Sequence, residues 1–310
     1  MKVLLTGGAG FIGSHAVDHF VSCGDNVTVV DKLTYAGNLK NLSESWGKFE
    51  FKQLDICDKH AMNTVFLQGG FDVIVNFAAE THVDNSINDS EPFIRTNLHG
   101  ASALMDVARH YNALFCQLST DEVYGDALGC DRGYVTTDPL RPRNPYSATK
   151  AAADMMLLAY HNTYKQPYLI FRPSNNFGPR QHKEKFLPKL LEAMITVRDF
   201  PLYGDGMQRR EWTYVGDTVR AIRDTIVSGV TNKILNISSG YTDTNVAIIK
   251  QVDDRYRELG MIPNANVVFV ADRLGHDRRY WIESDIDPSR FTTFTRGLEL
   301  TIEHYFQRLA

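Results

Sequence analysis

Short apolar runs alternate with longer segments of helical periodicity through the first half of the chain. Five runs, rich in β-branched and aromatic residues, are typical of strands: KVLLT (2–6), NVTVVD (26–31), FEFKQLD (49–55), DVIVNFAA (72–79) and ALFCQLS (113–119). Apolar positions recur at helical spacing over 11–24, 59–68 and 91–111. This alternation predicts an α/β fold with a doubly wound parallel sheet of the Rossmann type, whose ligand sites lie beyond the carboxyl ends of the strands.

The alternation breaks down from about residue 172. Prolines at 173, 179, 188 and 201 interrupt the segment, and glycines at 178, 204 and 206 add turns. We therefore expect a first domain over residues 1–171 and a smaller, mixed α/β lobe over 172–310. Some segments of the second part are expected to return to the first domain.

Composition narrows the classes of partner. The 310 residues carry a net charge of −4, with 43% hydrophobic and 23% charged residues, so no strong field attracts nucleic acid or a membrane surface. The four cysteines lack the spacing of metal ligands, and no metal is expected. No apolar stretch is long enough for a signal peptide or a membrane span. We expect a cytoplasmic protein with a small-molecule ligand.

The segment TGGAGFIG places Gly7, Gly10 and Gly13 after the first strand and at the start of a helix. Glycine allows a tight turn and close approach of the backbone to a pyrophosphate, which the helix N-terminus attracts. An ordinary glycine turn is the alternative. Asp31 ends the second strand about twenty residues later, where an acid binds the adenosine ribose of NAD and repels the extra phosphate of NADP. Lys32 weakens that preference without reversing it.

Two further motifs contain candidate catalytic residues. STDEVYG (119–125) places Asp121 and Glu122 side by side where a strand ends, so that a backbone turn could bring both into one cavity. PYSATK places Tyr146 and Lys150 one helical turn apart, and a nearby ammonium is expected to lower the tyrosine pKa. The alternative for STDEVYG is a cluster of residues that caps a turn at the strand end. The alternative for PYSATK is a helix face exposed to solvent.

Together with the glycine frame, YxxxK resembles the signature of a short-chain dehydrogenase/reductase. The blocks TGGAGFIGSH, DKLTYAGNL, NFAAETHVDNSI, STDEVYG, NPYSATKAAAD, RPSNNFGPRQHKEKFLP, PLYGDGMQRREWTYVGD and DRLGHDRRY are similar to those of the dTDP-glucose 4,6-dehydratase family, in the same order. The resemblance implies oxidation of the sugar at carbon 4 by NAD, loss of water across carbons 5 and 6, and reduction at carbon 6.

The resemblance also implies the roles of single residues. Tyr146, supported by Lys150, would take the hydroxyl proton, Glu122 would remove the carbon 5 proton, Asp121 would protonate the leaving hydroxyl, and Thr120 would bind the oxygen at carbon 4. Cofactor contacts are implied for Gly7, Gly10, Phe11, Ile12, Gly13, Asp31, Lys32, Leu33, Thr34, Asp55, Ile56, Ala78, Ala79, Glu80, Asn97, Ser119, Tyr146, Lys150 and Asn176. Substrate contacts are implied for Thr81, Thr120, Asn175, Lys185, Phe186, Tyr203, Arg210, Asn236, Arg273 and His276.

Departures from the family pattern bear on recognition of the nucleotide base. Thr81 and Phe186 replace the usual serine and leucine, Leu274 replaces a common proline, and the C-terminal block differs. dTDP-glucose is therefore the leading substrate and UDP-glucose the second. Other hypotheses are a sugar-nucleotide 4-epimerase, which has no use for paired acids, and a non-enzymatic dinucleotide sensor. A homodimer is expected through helices 91–111 and 145–164, on the apolar residues Leu98, Ala101, Leu104, Met105, Met155, Met156 and Leu157.

Overall fold

A seven-stranded parallel sheet forms the centre of the computed structural model, which describes residues 1–260, 262 and 265–307. Its strands are β1 (Lys2–Thr6), β2 (Asn26–Asp31), β3 (Glu50–Gln53), β4 (Val73–Asn76), β5 (Leu114–Leu118), β6 (Tyr168–Pro173) and β10 (Lys233–Ile237). The spatial order is β10-β6-β5-β4-β1-β2-β3, so the order reverses between β1 and β4. The predicted Rossmann-type sheet is confirmed, and its switch point lies where the glycine loop follows β1.

Helices cover both faces of this sheet. The described helices are α1 (Phe11–Ser22), α2 (Lys59–Gly69), α3 (Val83–Asn88), α4 (Glu91–Phe93), α5 (Ala101–His110), α6 (Pro145–Tyr164), α7 (Phe186–Thr196), α8 (Val215–Val227), α9 (Asn245–Glu258) and α10 (Phe294–Gln307). Apolar side chains of α1 and α8 pack on one face, and those of α2, α5 and α6 pack on the other. Alternate residues of each buried strand supply the two cores.

A second, smaller core lies in the C-terminal part. Strands β7 (Asn175–Phe177), β9 (Arg209–Tyr214) and β11 (Thr242–Thr244) form one small sheet, and β8 (Asp199–Tyr203) pairs with β12 (Asn266–Val270) in another. Helices α7, α9 and α10 pack around buried Trp212 and Phe177. Between these elements the chain returns to the large sheet as β10, parallel to β6. The boundary at residue 171 stays a prediction.

The long helical pattern at 91–111 contains an irregularity. Residues Ile94–Gly100 form a π-helical turn between α4 and α5. A Cβ at Gly100 would lie 2.7 Å from the Ile56 side chain, so this residue lets the helix approach the loop after β3 closely. The turn lies beside the cofactor cavity, through Asn97.

Candidate active site

The glycine loop leaves no room for side chains at two of its three predicted positions. Gly7 has φ of 69°, and a Cβ there would lie 2.5 Å from the Ala78 nitrogen. A Cβ at Gly13 would lie 2.2 Å from the Gly7 carbonyl oxygen. The first turn of α1 can therefore pack tightly on β1. Phe11, Ile12 and Gly13 of this turn line a cavity of about 240 Å³. This arrangement fits a dinucleotide pyrophosphate.

A side cavity of about 90 Å³ lies next to the glycine loop and contains the acid predicted to bind ribose. The Asp31 carboxylate accepts the backbone N–H groups of Ala9 (2.9 Å) and Leu33 (2.7 Å). Burial raises the Asp31 pKa, and these two hydrogen bonds oppose the rise. Lys32 Nζ lies 2.8 Å from Asp55 Oδ2, so its charge is paired instead of free for a 2′-phosphate. The pocket fits the adenosine end of NAD better than that of NADP.

The paired acids reach one cavity because the backbone turns directly after β5. Thr120 caps a 3₁₀ helix, Asp121–Tyr124, by accepting the Glu122 N–H at 3.3 Å. Asp121 and Glu122 both line a cavity of about 240 Å³, together with Tyr146 and Lys150. In an extended strand, neighbouring side chains point to opposite faces, so the two acids would lie apart.

The start of α6 places Tyr146 in this cavity. Asn144 and Ser147 form a capping box, and Pro145 occupies the first helical position. Asn144 has a second function, because its side-chain amide donates to Glu122 Oε2 at 3.3 Å. The cap that starts the helix thus also holds one of the paired acids.

The two acids occupy different environments. Asp121 is 3% exposed, and burial raises its pKa well above the usual range, with the charges of Glu122 and Glu211 adding to the rise. Glu122 is partly exposed and accepts hydrogen bonds from Asn144 and from the Tyr280 hydroxyl (3.3 Å). Burial therefore favours the neutral form of Asp121, whereas the Glu122 carboxyl accepts hydrogen bonds from two side chains. Such a pair can supply a general acid and a general base at one pH.

Tyr146 and Lys150 share the cavity, but the expected lowering of the tyrosine pKa is wrong for this structure. Burial raises the pKa of Tyr146 and Glu122 adds to the rise, while a hydrogen bond with Thr120 opposes it. The Lys150 ammonium donates to the Leu118 carbonyl. Burial lowers the pKa of Lys150 to about 8, and the charge of Asp154 opposes this change. Thr120, rather than Lys150, is the group that favours the phenolate here.

A neighbouring cavity of about 220 Å³ is rich in cationic side chains. Arg273 Nε lies 2.5 Å from Asp84 Oδ1, and Arg210 lies over the Tyr280 ring at 4.2 Å. Lys185 Nζ donates to the Thr81 carbonyl at 2.8 Å. Glu122 and Lys185 line both this cavity and the one that contains Tyr146. The arrangement fits an anionic group held beside the reacting centre.

Most residues predicted from the resemblance line these three cavities. On the cofactor side they are Gly7, Gly10, Phe11, Ile12, Gly13, Asp31, Lys32, Thr34, Asp55, Ile56, Ala78, Ala79, Glu80, Ser119, Tyr146, Lys150 and Asn176. On the substrate side they are Thr81, Thr120, Asn175, Lys185, Phe186, Tyr203, Arg210, Arg273 and His276.

Three predicted residues do not line these cavities, and their contacts with cofactor or substrate stay predictions. Asn236 is fully buried in β10, where it accepts the Tyr124 hydroxyl (2.8 Å) and donates to the Tyr134 carbonyl (2.9 Å). Asn97 is 1% exposed, and its side-chain amide donates to the Glu80 carbonyl while its oxygen accepts the Glu80 N–H. Leu33 contributes its backbone N–H to Asp31. The hydrogen bonds of all three hold neighbouring residues in place.

The sequence analysis missed three residues that the structure places at the site. The Tyr280 hydroxyl lies 2.9 Å from Asp277 Oδ2 and 3.3 Å from Glu122 Oε2, so its single proton is shared between these two carboxyls, and the side chain is 6% exposed. Asn144 also holds Glu122, and Glu184 lines both larger cavities. Tyr280 and Asn144 stand within the quoted blocks DRLGHDRRY and NPYSATKAAAD, so a signal was present. Their direction toward Glu122 depends on loop geometry.

Within residues 1–260, 262 and 265–307, no group of three or more His, Cys, Asp and Glu side chains could hold a metal ion. In the same part of the chain, no helix is both long and apolar enough to cross a membrane.

The glycine loop under α1, the acid at the end of β2 and the tyrosine–lysine pair on α6 define an NAD-dependent enzyme of the short-chain dehydrogenase/reductase type. The sequence matches the model of the NAD dependent epimerase/dehydratase family over residues 3–238. The chain belongs to this family. The predictions of its fold class and of NAD as its cofactor are confirmed at that level.

Individual relatives show which members of the family the chain resembles. The chain is 39% identical to a dTDP-glucose 4,6-dehydratase of Neisseria gonorrhoeae, over 98% of this chain and 95% of the relative. It resembles the solved dTDP-glucose 4,6-dehydratase from Streptomyces venezuelae with NAD bound (36% identity, TM-score 0.91, 99% and 97% of the two chains covered). A UDP-glucose 4-epimerase from Thermotoga maritima has a TM-score of 0.90 at 27% identity, over 100% of both chains. The predicted resemblance to the dehydratases is confirmed, and the epimerase shares the fold at lower sequence identity.

Proposed function

We propose that this protein is an NAD-dependent 4,6-dehydratase of a hexose nucleotide. The reaction converts dTDP-glucose, or UDP-glucose as the second candidate, into the 4-keto-6-deoxy sugar nucleotide and water. The observation that carries the proposal is the pair Asp121 and Glu122, in one cavity with Tyr146 and in unlike environments. Oxidation alone does not need two acids, whereas elimination of water does.

Tyr146 acts first, as the base that takes the proton from the hydroxyl on carbon 4, and this role requires that bound substrate and cofactor offset the burial that raises its pKa. When bound, NAD supplies the hydride chemistry, namely oxidation at carbon 4 and the later reduction at carbon 6. Thr120 lines the same cavity as Tyr146 and would contact the same oxygen of the sugar. Lys150 adds positive charge below its pKa of about 8 and lines the same cavity as Tyr146. These residues orient the sugar for oxidation.

Glu122 and Asp121 then divide the elimination between them. The new ketone acidifies the hydrogen on carbon 5, and Glu122 removes it while its other contacts, Asn144 and Tyr280, fix the carboxylate. Asp121, whose neutral form burial favours, donates a proton to the hydroxyl that leaves carbon 6. Glu122 returns its proton to carbon 5 when carbon 6 is reduced. The cofactor is regenerated within each turnover.

The cationic cavity supplies the binding site for the diphosphate. Arg210 and Arg273 can grip phosphate oxygens with forked donors, and Lys185 adds a point charge where the two cavities meet. Arg273 pairs with Asp84 in the structure, so a diphosphate would compete with this carboxylate for the guanidinium. The choice of thymine over uracil follows the resemblance to the dehydratases.

The experiment that tests the function uses the purified protein with dTDP-glucose and UDP-glucose in separate reactions. We expect a product one water lighter than the substrate, without added reductant, and faster with dTDP-glucose. A product of unchanged mass would support the epimerase hypothesis, and no turnover with either substrate would contradict both enzymatic hypotheses.

We further propose that the protein is a homodimer that uses helix α6. The structure corrects part of the earlier argument, since Ala101, Leu104, Met105 and Leu157 are fully buried in the core of one chain. Met155 and Met156 remain 48% and 36% exposed on the outer face of α6 and support the proposal. Light scattering at micromolar concentration should give the mass of two chains, and a monomeric mass would contradict it. A cytoplasmic location also stays a prediction.

A further inference from the structure

The proposed 4,6-dehydration, on which this inference rests, leaves a proton on Glu122 for part of each turnover. Glu122 takes this proton from carbon 5 and returns one to carbon 5 when carbon 6 is reduced. A bound sugar would fill the space in front of the carboxyl, since Glu122 lines both larger cavities. Exchange of the proton with solvent during this interval must therefore pass through the groups behind Glu122.

Two side chains in the described part of the chain hydrogen-bond the Glu122 carboxyl, and both contact Oε2 at 3.3 Å. The first is the amide of Asn144, whose N–H groups donate but cannot take up a proton, and whose oxygen accepts the Ser147 N–H at 2.8 Å. The second is the hydroxyl of Tyr280, which can accept one proton while it donates another. Of the two groups, Tyr280 is the one that can pass a proton on.

The Tyr280 hydroxyl also contacts a second carboxyl. It lies 2.9 Å from Asp277 Oδ2, and this buried contact is shorter than the one to Glu122. The single phenol proton is therefore directed to Asp277, which leaves a lone pair of the Tyr280 oxygen for Glu122. A protonated Glu122 can donate to this lone pair. The three side chains thus form a continuous line of hydrogen bonds that leads away from the reacting centre.

Asp277 extends this line toward the surface. Its side chain is fully buried, but its Oδ1 lies 3.2 Å from Arg143 Nη1, and the Arg143 side chain is 47% exposed. Arg143 also pairs with Asp126 Oδ2 at 3.0 Å. Burial raises the pKa of Asp277 to about 6, while the Tyr280 hydrogen bond and the charge of Arg143 oppose the rise. A proton on Asp277 would weaken its attraction to Arg143, which keeps Asp126 as a partner, so that water can reach Oδ1.

We infer that Tyr280 and Asp277 pass the carbon 5 proton from Glu122 to solvent, so that the proton returned to carbon 5 comes from water. The Glu122 O–H bond breaks as its proton moves to the Tyr280 oxygen, and the original Tyr280 O–H bond breaks as its proton moves to Asp277 Oδ2. The products are a Glu122 carboxylate, an intact phenol and a neutral Asp277, which exchanges its proton with water. The reverse transfers reload Glu122 before carbon 6 is reduced. No electrons are transferred in these steps.

The test follows deuterium into carbon 5. Each protein, loaded with NAD, converts unlabelled dTDP-glucose in D₂O, and NMR of the fresh product measures the fraction of molecules with deuterium at carbon 5. Product kept in D₂O without protein gives the background exchange of the free ketone. Most of the wild-type product should carry deuterium at carbon 5.

Two variants interrupt the line of hydrogen bonds at different points. Tyr280→Phe removes the hydroxyl and keeps the ring over which Arg210 lies. Its label should fall by about 10-fold or more, because a positioned proton-transfer group is worth roughly 100-fold in rate. Asp277→Asn can still accept the Tyr280 hydrogen bond but cannot take up a proton, so its label should fall as well.

The matched control is Tyr160→Phe, which removes a phenol that donates to Asp106 Oδ1 at 2.7 Å away from the three cavities, and which should keep the wild-type label. A substitution that merely disturbs the site would slow reduction at carbon 6, allow more time for exchange and raise the label. A label in Tyr280→Phe or Asp277→Asn equal to or above that of wild type therefore overturns the inference, as does wild-type product without deuterium at carbon 5. A wild-type protein that releases no water would instead contradict the proposed function, independently of Tyr280.

Discussion

Replacing Asp154 with asparagine should destabilise the protein by about 3 kcal/mol, because the change leaves a buried charge without its counter-ion. Asp154 lies on α6 and Arg172 on β6, with side chains 0% and 1% exposed. Asp154 Oδ2 accepts Arg172 Nε at 3.0 Å and the Ser119 hydroxyl at 3.0 Å. The pair therefore joins β6 to the helix that contains Tyr146, and Asp154 also holds Ser119 just beyond the end of β5.

The magnitude follows from what Arg172 retains. Loss of one partner of a buried ion pair costs about 3–5 kcal/mol. Arg172 still donates to the Tyr124 hydroxyl at 2.8 Å and stacks on that ring at 4.9 Å, which favours the lower end of the range. An unfolding entropy of roughly 2.1 cal/mol/K per residue gives about 0.65 kcal/mol/K for this chain of 310 residues. The Tm should therefore fall by about 5 °C.

Thermal unfolding of the two proteins by circular dichroism measures this difference. The same substitution in an exposed pair is the control: Asp253 lies 3.1 Å from Arg257 on α9, and Asp253→Asn should lower the Tm by less than about 1 °C. Burial raises the Asp154 pKa even beside Arg172, so the pair itself adds little stability. The double variant Asp154→Leu, Arg172→Met should therefore lose less than Asp154→Asn. A Tm for Asp154→Asn within 1 °C of wild type would refute the reasoning.

The other predictions concern the site itself. Tyr146→Phe should abolish both the formation of bound NADH and the formation of product. Glu122→Gln should slow water loss by roughly 100-fold but still form bound NADH, which is measured by its absorbance. Near-normal water loss in Glu122→Gln would contradict the role of Glu122. Gly13→Ala should weaken NAD binding by about 10-fold or more, about 1.4 kcal/mol, because the new Cβ would lie 2.2 Å from the Gly7 carbonyl oxygen; a fluorescence titration that gives an unchanged Kd would contradict this. Activity should fall as pH rises through about 8, where buried Lys150 loses its proton, and Lys150→Arg should move this fall to higher pH; an identical pH profile in Lys150→Arg would exclude Lys150 as its cause.

Periodicity predicted five of the seven strands of the large sheet, and those near its centre are buried on both faces. Residues 2–6 and 26–31 form strands with the predicted bounds, and the run at 113–119 ends one residue early, at Leu118. Ser119 therefore lies just beyond the strand, where parallel sheets bind ligands. The glycine motif could also be recognised from the sequence, because Gly7 and Gly13 have no space for a side chain and the fold therefore requires glycine at both positions.

The sequence could not show which side chains face the cavities from distant parts of the chain. Asn236 matched a family position, but β10 buries it against Tyr124 and Tyr134. Tyr280 reaches Glu122 from a position 158 residues later, through a fold of the small lobe that no local pattern encodes. The Tyr146 pKa also depends on burial, which outweighs the sequence argument from Lys150.

The path of the hydride tests the dehydratase most directly. dTDP-glucose with deuterium on carbon 4 is converted by the protein with its bound NAD, and the product is examined by mass spectrometry and NMR. The account predicts a product one water lighter than the substrate, with deuterium in the new methyl group at carbon 6 and a ketone at carbon 4. Deuterium retained at carbon 4 of a product with unchanged mass and inverted configuration would contradict it and identify an epimerase.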